Sequence, residues 1–435
     1  MSTPPAAPPR VLGFWSAVAI VMGNMIGSGV FLLPSSLAAY GGLSLAAWLV
    51  SAGGAVMLAL VLARLARWLP AAGGLYAYTR EAFGPALGFL VGWGYWLSSV
   101  ATLAALAVAF VGYLDPFIPA IVRAPASAAM LAVAAIWVLV GVNVLGVRAA
   151  GRTQIVTVAL KILPLALVGI GGLFFFEPSS FLLPDPGPDA SLPGLLVAAV
   201  TLTLWAFLGL ECATIPADNV TDPERTIPRA TVVGTIATAL IYIVATMGVM
   251  SLVPGATLET STAPFADGAR ALLGPGAAQL VAVGAAVSCF GALNGWTLVT
   301  GQLPAAAAAD GLFPAWFGRR SSRGVPVWSM AAAGMLASLL VALNYSRTLV
   351  ELFTFIILLS TLSTLVPYVF CSLAVWLMPG RPRLQAGAAT TSIAAFAYSM
   401  FAIYGAGAET VFYGFLLILG GLPIYAAMAR TRPAR

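Results

Sequence analysis

Apolar residues run along this chain in long unbroken stretches, without the spacing of 3.6 or 2 that marks one-sided helices or strands. A helix needs about 20 apolar residues to cross the hydrocarbon core of a bilayer. Twelve such runs occur, at 11–34, 42–67, 84–114, 125–147, 153–176, 193–217, 229–253, 273–305, 325–343, 349–377, 388–405 and 408–429. They predict an all-α polytopic membrane protein with 12 transmembrane helices. The third, eighth and tenth runs exceed a simple crossing and predict tilt or an extension beyond the bilayer. Only two connections are long, 177–192, rich in Pro and Asp, and 254–272, and neither has room for a soluble domain.

Two of the runs are interrupted at matching places in the two halves of the chain. The first contains Gly23-Asn24-Met25-Ile26-Gly27-Ser28-Gly29, and the sixth contains Trp205-Ala206-Phe207-Leu208-Gly209-Leu210-Glu211. Helices 1 and 6 are therefore predicted to be discontinuous. Lipid cannot satisfy the backbone groups that a break sets free, so the breaks must line a polar cavity. Paired breaks in corresponding positions point to the substrate site of a transporter.

The chemistry of the first break suits an anion. Gly27, Ser28 and Gly29 can turn their N–H groups toward a carboxylate, and the following half-helix points its positive dipole end the same way. Free carbonyls around Asn24 to Ile26, and around Trp205, Phe207 and Leu208, can accept from an ammonium. Donors on one side and acceptors on the other match an α-amino acid better than a bare diamine. Tight helix crossings also use glycine, which explains single glycines better than it explains this cluster.

Composition agrees with the membrane reading: 61% of the 435 residues are hydrophobic and 8% charged, against roughly 25% charged for soluble domains. With a cytoplasmic N-terminus, Arg10, Arg64, Arg67, Arg80, Arg148, Arg152, Arg225, Arg229, Arg319, Arg320, Arg323, Arg381, Arg383, Arg430, Arg432 and Arg435 fall at cytoplasmic ends, sixteen of the 20 basic residues. Arg123, Arg270 and Arg347 face outward. So strong a bias predicts both termini in the cytoplasm, and the net charge of +6 reflects orientation, with no nucleic-acid partner implied. Residues 1–10 carry four prolines and read as a cytoplasmic tail, and 430–435 as a second. The first run is membrane-length and predicts a retained helix, not a cleaved signal peptide.

Cys212, Cys289 and Cys371 lie within apolar runs and predict three buried free thiols. The chain has no histidine, which removes imidazole triads, ordinary zinc sites and histidine pH switches. No phosphate-binding glycine loop followed by Lys-Ser/Thr occurs, so the chain itself encodes no ATP-driven step. No metal or other cofactor is expected. With its acids dispersed, the chain offers no enzyme constellation, and its spans lack the continuous polar lining of a channel. A receptor without transport would leave labelled substrate unmoved in liposomes.

Two ionisable residues lie inside spans, where function is the default reading. Glu211, at the second break, is a candidate proton carrier or a structural carboxylate that pins the broken helix. Lys161 lies nine residues beyond Arg152, about 13 Å along a helix. Its amine either snorkels to the interface or stays buried where a coupling cation would otherwise bind. Most membrane tryptophans form interfacial belts, but Trp205 and Trp296 lie centrally, as a pocket wall over which a cation could sit or as plain packing.

The stretches G-N-M-I-G-S-G-V-F-L-L-P (23–34), L-W-A-F-L-G-L-E (204–211), D-P-E-R-T-I-P-R-A-T (222–231), G-W-T-L-V-T-G-Q (295–302), D-G-L-F-P (310–314) and T-L-V-P-Y (364–368) resemble the amino acid–polyamine–organocation superfamily. The resemblance is strongest to its basic amino acid/polyamine antiporters and spans nearly the whole chain. It implies a 5+5 inverted-repeat fold, with one repeat at 11–176, the second at 193–377, and helices 11 and 12 at 388–429. It implies exchange of amino acids, a basic one or its decarboxylated amine, across a bacterial inner membrane by alternating access, and it suggests a homodimer in the bilayer.

By the same resemblance Ser28 and Gly29 bind the substrate carboxylate, and the Trp205–Leu208 carbonyls take the α-amino group. Trp296 stacks on the substrate side chain, and Glu211 is the pH-responsive acid. Tyr95 and Trp205 gate the pocket, and Ser360 is a further pocket residue. Leu103 departs from the asparagine that arginine/agmatine exchangers carry there, and nearby Leu106 is also apolar. Lys161 is similar to the fifth-helix lysine of sodium-independent permeases. Proton-coupled uptake or exchange of a neutral or small amino acid therefore stands as the alternative.

Overall fold

The computed structural model describes residues 10–184, 191–343, 349–381 and 383–430, of which 349–361 and Arg430 are given by backbone alone. In chain order, α1 (Phe14–Met25) and α2 (Gly29–Ala38) are the halves of the first broken span. There follow α3 (Leu43–Trp68), the short α4 (Leu75–Phe83), α5 (Pro85–Gly112), the single turn α6 (Pro119–Val122), α7 (Pro125–Val144), α8 (Val147–Leu173) and α9 (Leu192–Leu204). Three 3-10 turns, Trp205–Phe207, Cys212–Thr214 and Ala217–Asn219, carry the chain through the second break. Beyond it lie α10 (Pro223–Leu252), α11 (Gly255–Glu259), α12 (Pro264–Leu273), α13 (Ala277–Ala309), α14 (Val327–Leu343), α15 (Leu349–Leu377), α16 (Ala386–Gly405), α17 (Ala408–Leu419) and α18 (Leu422–Arg430). The described residues form no strand; a lone parallel bridge joins Leu12 to Val220.

Nine helical segments among the described residues are long and apolar enough to cross a bilayer, and the pair α1 and α2, bent by 45°, makes a tenth as one broken span. The shorter apolar helices Val327–Leu343 and Leu362–Leu377 accompany them. Proline opens α5, α7, α10 and α12, at the helix position where its missing N–H costs nothing. Large apolar side chains such as Leu49, Val138, Leu163, Ile170 and Leu240 stand exposed on the outside of the bundle, a surface suited to lipid and not to water.

The sequence marks 254–272 as a plain connection, but α11 and α12 fold within it. In α12 the Asp267 carboxylate lies in the first turn and Arg270 in the last, each at the helix end whose dipole it complements, and the two pair at 2.9 Å. The Ser35 hydroxyl donates to the Ser261 carbonyl at 2.8 Å, tying this connection to α2. At the other long connection, Gly42 N–H donates to Leu182 C=O at 3.0 Å.

Helices α8 and α10 cross with almost no side chain between them. A Cβ on Gly172 would fall 2.2 Å from the Gly248 carbonyl oxygen, and one on Gly248 would fall 2.3 Å from that of Gly169. Glycine alone permits so close a backbone approach.

Candidate substrate-binding site

Both breaks form for visible reasons. Glycines at 23, 27 and 29 lower helix propensity by about 1 kcal/mol each relative to alanine, and the backbone leaves the helix at Ile26 (φ −80°, ψ 86°). In the second break Leu208 is extended and Gly209 takes φ +107°, a conformation that needs glycine. The breaks touch: a Cβ on Gly209 would lie 3.1 Å from the Asn24 carbonyl carbon.

A cavity of ≈ 70 Å³ lies between them, where one water needs about 10–15 Å³. Asn24, Met25, Gly27, Ser28, Gly29 and Val30 line it from the first break, and Trp205, Ala206 and Leu208 from the second. Thr102 and Leu106 of α5, Trp296 of α13 and Thr364 of α15 complete the wall. The N–H groups of Ser28 and Gly29, at the open end of α2, meet no acceptor among the described residues, as expected at a helix start. The Trp205 ring lies against Gly29, where a Cβ would be 2.7 Å from Cζ3.

Of the predicted site residues, Asn24, Gly27, Ser28, Gly29, Trp205, Leu208 and Trp296 thus come together at one cavity. Ile26 and Phe207 do not line it. Ile26 is fully buried with its carbonyl turned to Lys161. The Phe207 ring packs edge-on against Trp48 and Tyr242, at centroid distances of 5.9 and 5.7 Å. Tyr95 stands behind the cavity wall, its ring tilted against Trp296 at 6.2 Å. The Ser360 side chain lies outside the described residues.

Lys161 does not snorkel. It is fully buried, and its Nζ donates to the carbonyls of Gly23 at 3.0 Å and Ile26 at 2.5 Å. The Ser288 hydroxyl adds contacts to Ile26 O (3.1 Å) and Gly27 O (2.9 Å). Glu211 is equally buried. The Tyr95 hydroxyl donates to its Oε1 at 2.5 Å and that of Tyr368 to its Oε2. The three cysteines are buried and free.

Polar residues outside the predicted set complete the surroundings. The Tyr242 hydroxyl meets Met25 O at 2.7 Å and Ala206 O at 3.1 Å, one residue from each break. Trp296 Nε1 donates to Asn24 O at 3.4 Å. Behind them, Asn143 Nδ2 donates to Asn294 Oδ1 at 3.1 Å, and Asn294 Nδ2 to Gln154 Oε1 at 2.9 Å. Asn24 fills the space a Cβ on Gly295 would need. Its amide faces the Cys212 thiol and makes no hydrogen bond of ordinary geometry. Of the polar residues outside the predicted set, Thr364 and Tyr368 lie in a stretch the sequence singles out, T-L-V-P-Y.

A sequence model of the amino acid permease family matches residues 12–429. The chain belongs to that family. This permease is 34% identical over 334 residues to the cadaverine/lysine antiporter of Escherichia coli strain K12, covering 77% of this chain and 75% of the relative. It is 31% identical over 421 residues to the putrescine transporter PotE of Haemophilus influenzae, with 95% and 96% covered. To PotE of Escherichia coli strain K12 it is 30% identical over 425 residues, with 96% of each covered.

The arginine-rich end of the permease is shut below this cavity. Val11 and Leu12 N–H groups both donate to Asn219 O at 2.9 Å. Gly73 N–H donates to Ile215 O at 2.9 Å, and a Cβ on Gly74 would lie 2.1 Å from Thr214 Oγ1. Arg80 pairs with Asp310, whose Oδ2 also accepts from the Tyr76 hydroxyl at 3.0 Å. Burial, and then the Asp310 carboxylate beside it, hold the Tyr76 phenol protonated well above its ordinary range.

Proposed function

We propose that this permease exchanges a basic amino acid for its decarboxylated amine by alternating access in the inner membrane. The observation that carries the reading is the cavity between the breaks, with the open amides of Ser28 and Gly29 at one edge, backbone carbonyls beside them, and the Trp205 and Trp296 rings as walls. Amides suit the carboxylate, carbonyls the α-ammonium, and ring faces a cationic side chain. The names of the relatives, a cadaverine/lysine antiporter and two putrescine transporters, support the same substrate class.

In this reading the chain makes 12 crossings with both termini cytoplasmic, built as repeats at 11–176 and 193–377 with two appended helices at 388–429. Ser28 and Gly29 seat the carboxylate, the carbonyls of the Trp205–Leu208 turn the amine, and Trp296 the side chain. Trp205 gates the cavity from beside Gly29, and Tyr95 acts on it through Glu211, the pH-responsive acid. With the arginine-rich end taken as cytoplasmic, its closed contacts correspond in this reading to an outward-directed or occluded member of the transport cycle.

A second reading, proton-coupled uptake or exchange of a neutral amino acid, is favoured by two observations. Lys161 sets its amine against the first break, and Leu106 gives the cavity an apolar wall. Counterflow in proteoliposomes separates the two. Vesicles loaded with lysine, cadaverine, putrescine or alanine are followed for uptake of labelled lysine and labelled alanine at pH 5 and pH 7.5. Acceleration by loaded basic amino acids or diamines alone is the expected result. Alanine-driven exchange, or uptake into empty vesicles driven by a proton gradient, overturns it in favour of the second reading.

A further inference from the structure

The cavity wall opposite the breaks is made by α5 and α15, and its polarity is peculiar. Among the described residues no carboxylate lines it: Glu211 is fully buried, its two oxygens accepting from Tyr95 and Tyr368, and is not part of the cavity wall. Among the described residues of this wall, the polar ones are Thr102 and Thr364. Thr102 sends its one proton to the Ser98 carbonyl at 2.9 Å. What remains on its oxygen is a pair of lone pairs, so toward a ligand this hydroxyl accepts and does not donate. Thr102 lies four residues before Leu106, whose Cδ2 is 3.3 Å from where a Cβ on Gly27 would stand. The hydroxyl is thus one helical turn, about 5.4 Å, farther along α5 than the residue touching the predicted carboxylate seat. An acceptor one turn beyond this contact with the first break is placed for an N–H at the far end of a linear substrate.

We propose that Thr102 is a specificity-determining residue, whose hydroxyl accepts a hydrogen bond from the distal ammonium of an amine-terminated substrate and so favours it over a methyl-terminated one of equal length. The proposal rests on the basic-substrate reading above. Leu103, fully buried and absent from the cavity wall, takes no part.

The test uses the full chain in proteoliposomes. Wild type, Thr102→Val and Thr102→Ser are compared for half-inhibition of labelled-lysine exchange by external lysine, cadaverine and norleucine, with labelled norleucine uptake run in parallel. Valine keeps the shape and loses the acceptor; serine keeps the acceptor. The expected result is a fall of roughly tenfold or more in the lysine-to-norleucine potency ratio for Thr102→Val, the scale of one hydrogen bond to a charged group, with the ratio recovered in Thr102→Ser. An unchanged ratio in Thr102→Val overturns the proposal, as does an equal loss for lysine and norleucine or a serine variant that behaves like valine. A wild type that takes norleucine as readily as lysine overturns the basic-substrate reading and this proposal together; a wild type that prefers lysine whatever stands at 102 overturns this proposal alone.

Discussion

The two helix breaks meet the same physical problem with opposite kinds of ionisable group. At the first, the freed groups are carbonyls, and the cation that satisfies Gly23 and Ile26 comes from outside the break, on α8. At the second, the ionisable group is a carboxyl within the break itself, Glu211, and hydroxyls from α5 and α15 come to meet it. The first break is thereby pinned to α8 and, through Ser288, to α13. The second is pinned to α5 and α15. Each half of the site hangs on a different pair of neighbours. Tyr242 is the side chain that touches backbone from both, and it has one proton for two carbonyls.

The comparison breaks most violently at Lys161. Lys161→Met leaves the Gly23 carbonyl without its donor and Ile26 with Ser288 alone, and a buried orphan costs about 1–3 kcal/mol. A loss of roughly 2–4 kcal/mol on that scale is expected as a lowered Tm in detergent, together with lost transport; a Tm equal to wild type would show that water replaces the amine without penalty. Glu211→Gln keeps the size and one carbonyl oxygen for a tyrosine, so about 1–2 kcal/mol is expected. Uptake measured from pH 5 to 8 should lose its pH dependence, and a retained acid-activated profile would move proton sensing to another group.

Trp296→Leu removes a ring face from the cavity and should weaken binding of cationic substrates by about tenfold, on the cation–π scale of 1–2 kcal/mol. Equal affinities for lysine in the two proteins would remove Trp296 from substrate recognition. The smallest effect on stability belongs to Asp310→Asn at the shut end. Its pair with Arg80 is about a third exposed and contributes at most about 1 kcal/mol. Cysteine accessibility from the arginine-rich side should nonetheless rise as the cluster of Tyr76, Arg80 and Asp310 loosens. Unchanged labelling would mean that the backbone contacts at Asn219 and Ile215 close this end alone.

Much of this architecture can be read from the chain because membrane spans and broken spans are written in composition. The apolar runs, the glycine clusters at 23–29 and 209, and the two buried charges stand out without any knowledge of neighbours. The partners of those charges do not. Tyr368, Ser288 and Tyr242 are single hydroxyls within apolar helices, with no periodicity to mark which way they face, and their roles follow from how helices far apart in sequence meet. Thr102 is hidden for the same reason, one threonine in a run of alanine, leucine and valine. The opposite error also occurs: Phe207 lies in the break motif yet turns its ring away to Trp48 and Tyr242. The short helices α4, α11 and α12 escape a search tuned to runs of membrane length, since they are held by tertiary contact and a few charges.

The glycine seam between α8 and α10 has a consequence for motion. Where Gly169, Gly172 and Gly248 meet backbone to backbone, there are no rotamers to unlock and no interdigitated side chains to lift over one another. Such a contact works as a bare bearing: one helix can roll on the other through small angles while the packing on either side of the contact point is kept. A single methyl group introduced there would act as a brake, and it would do so far from any atom that touches substrate.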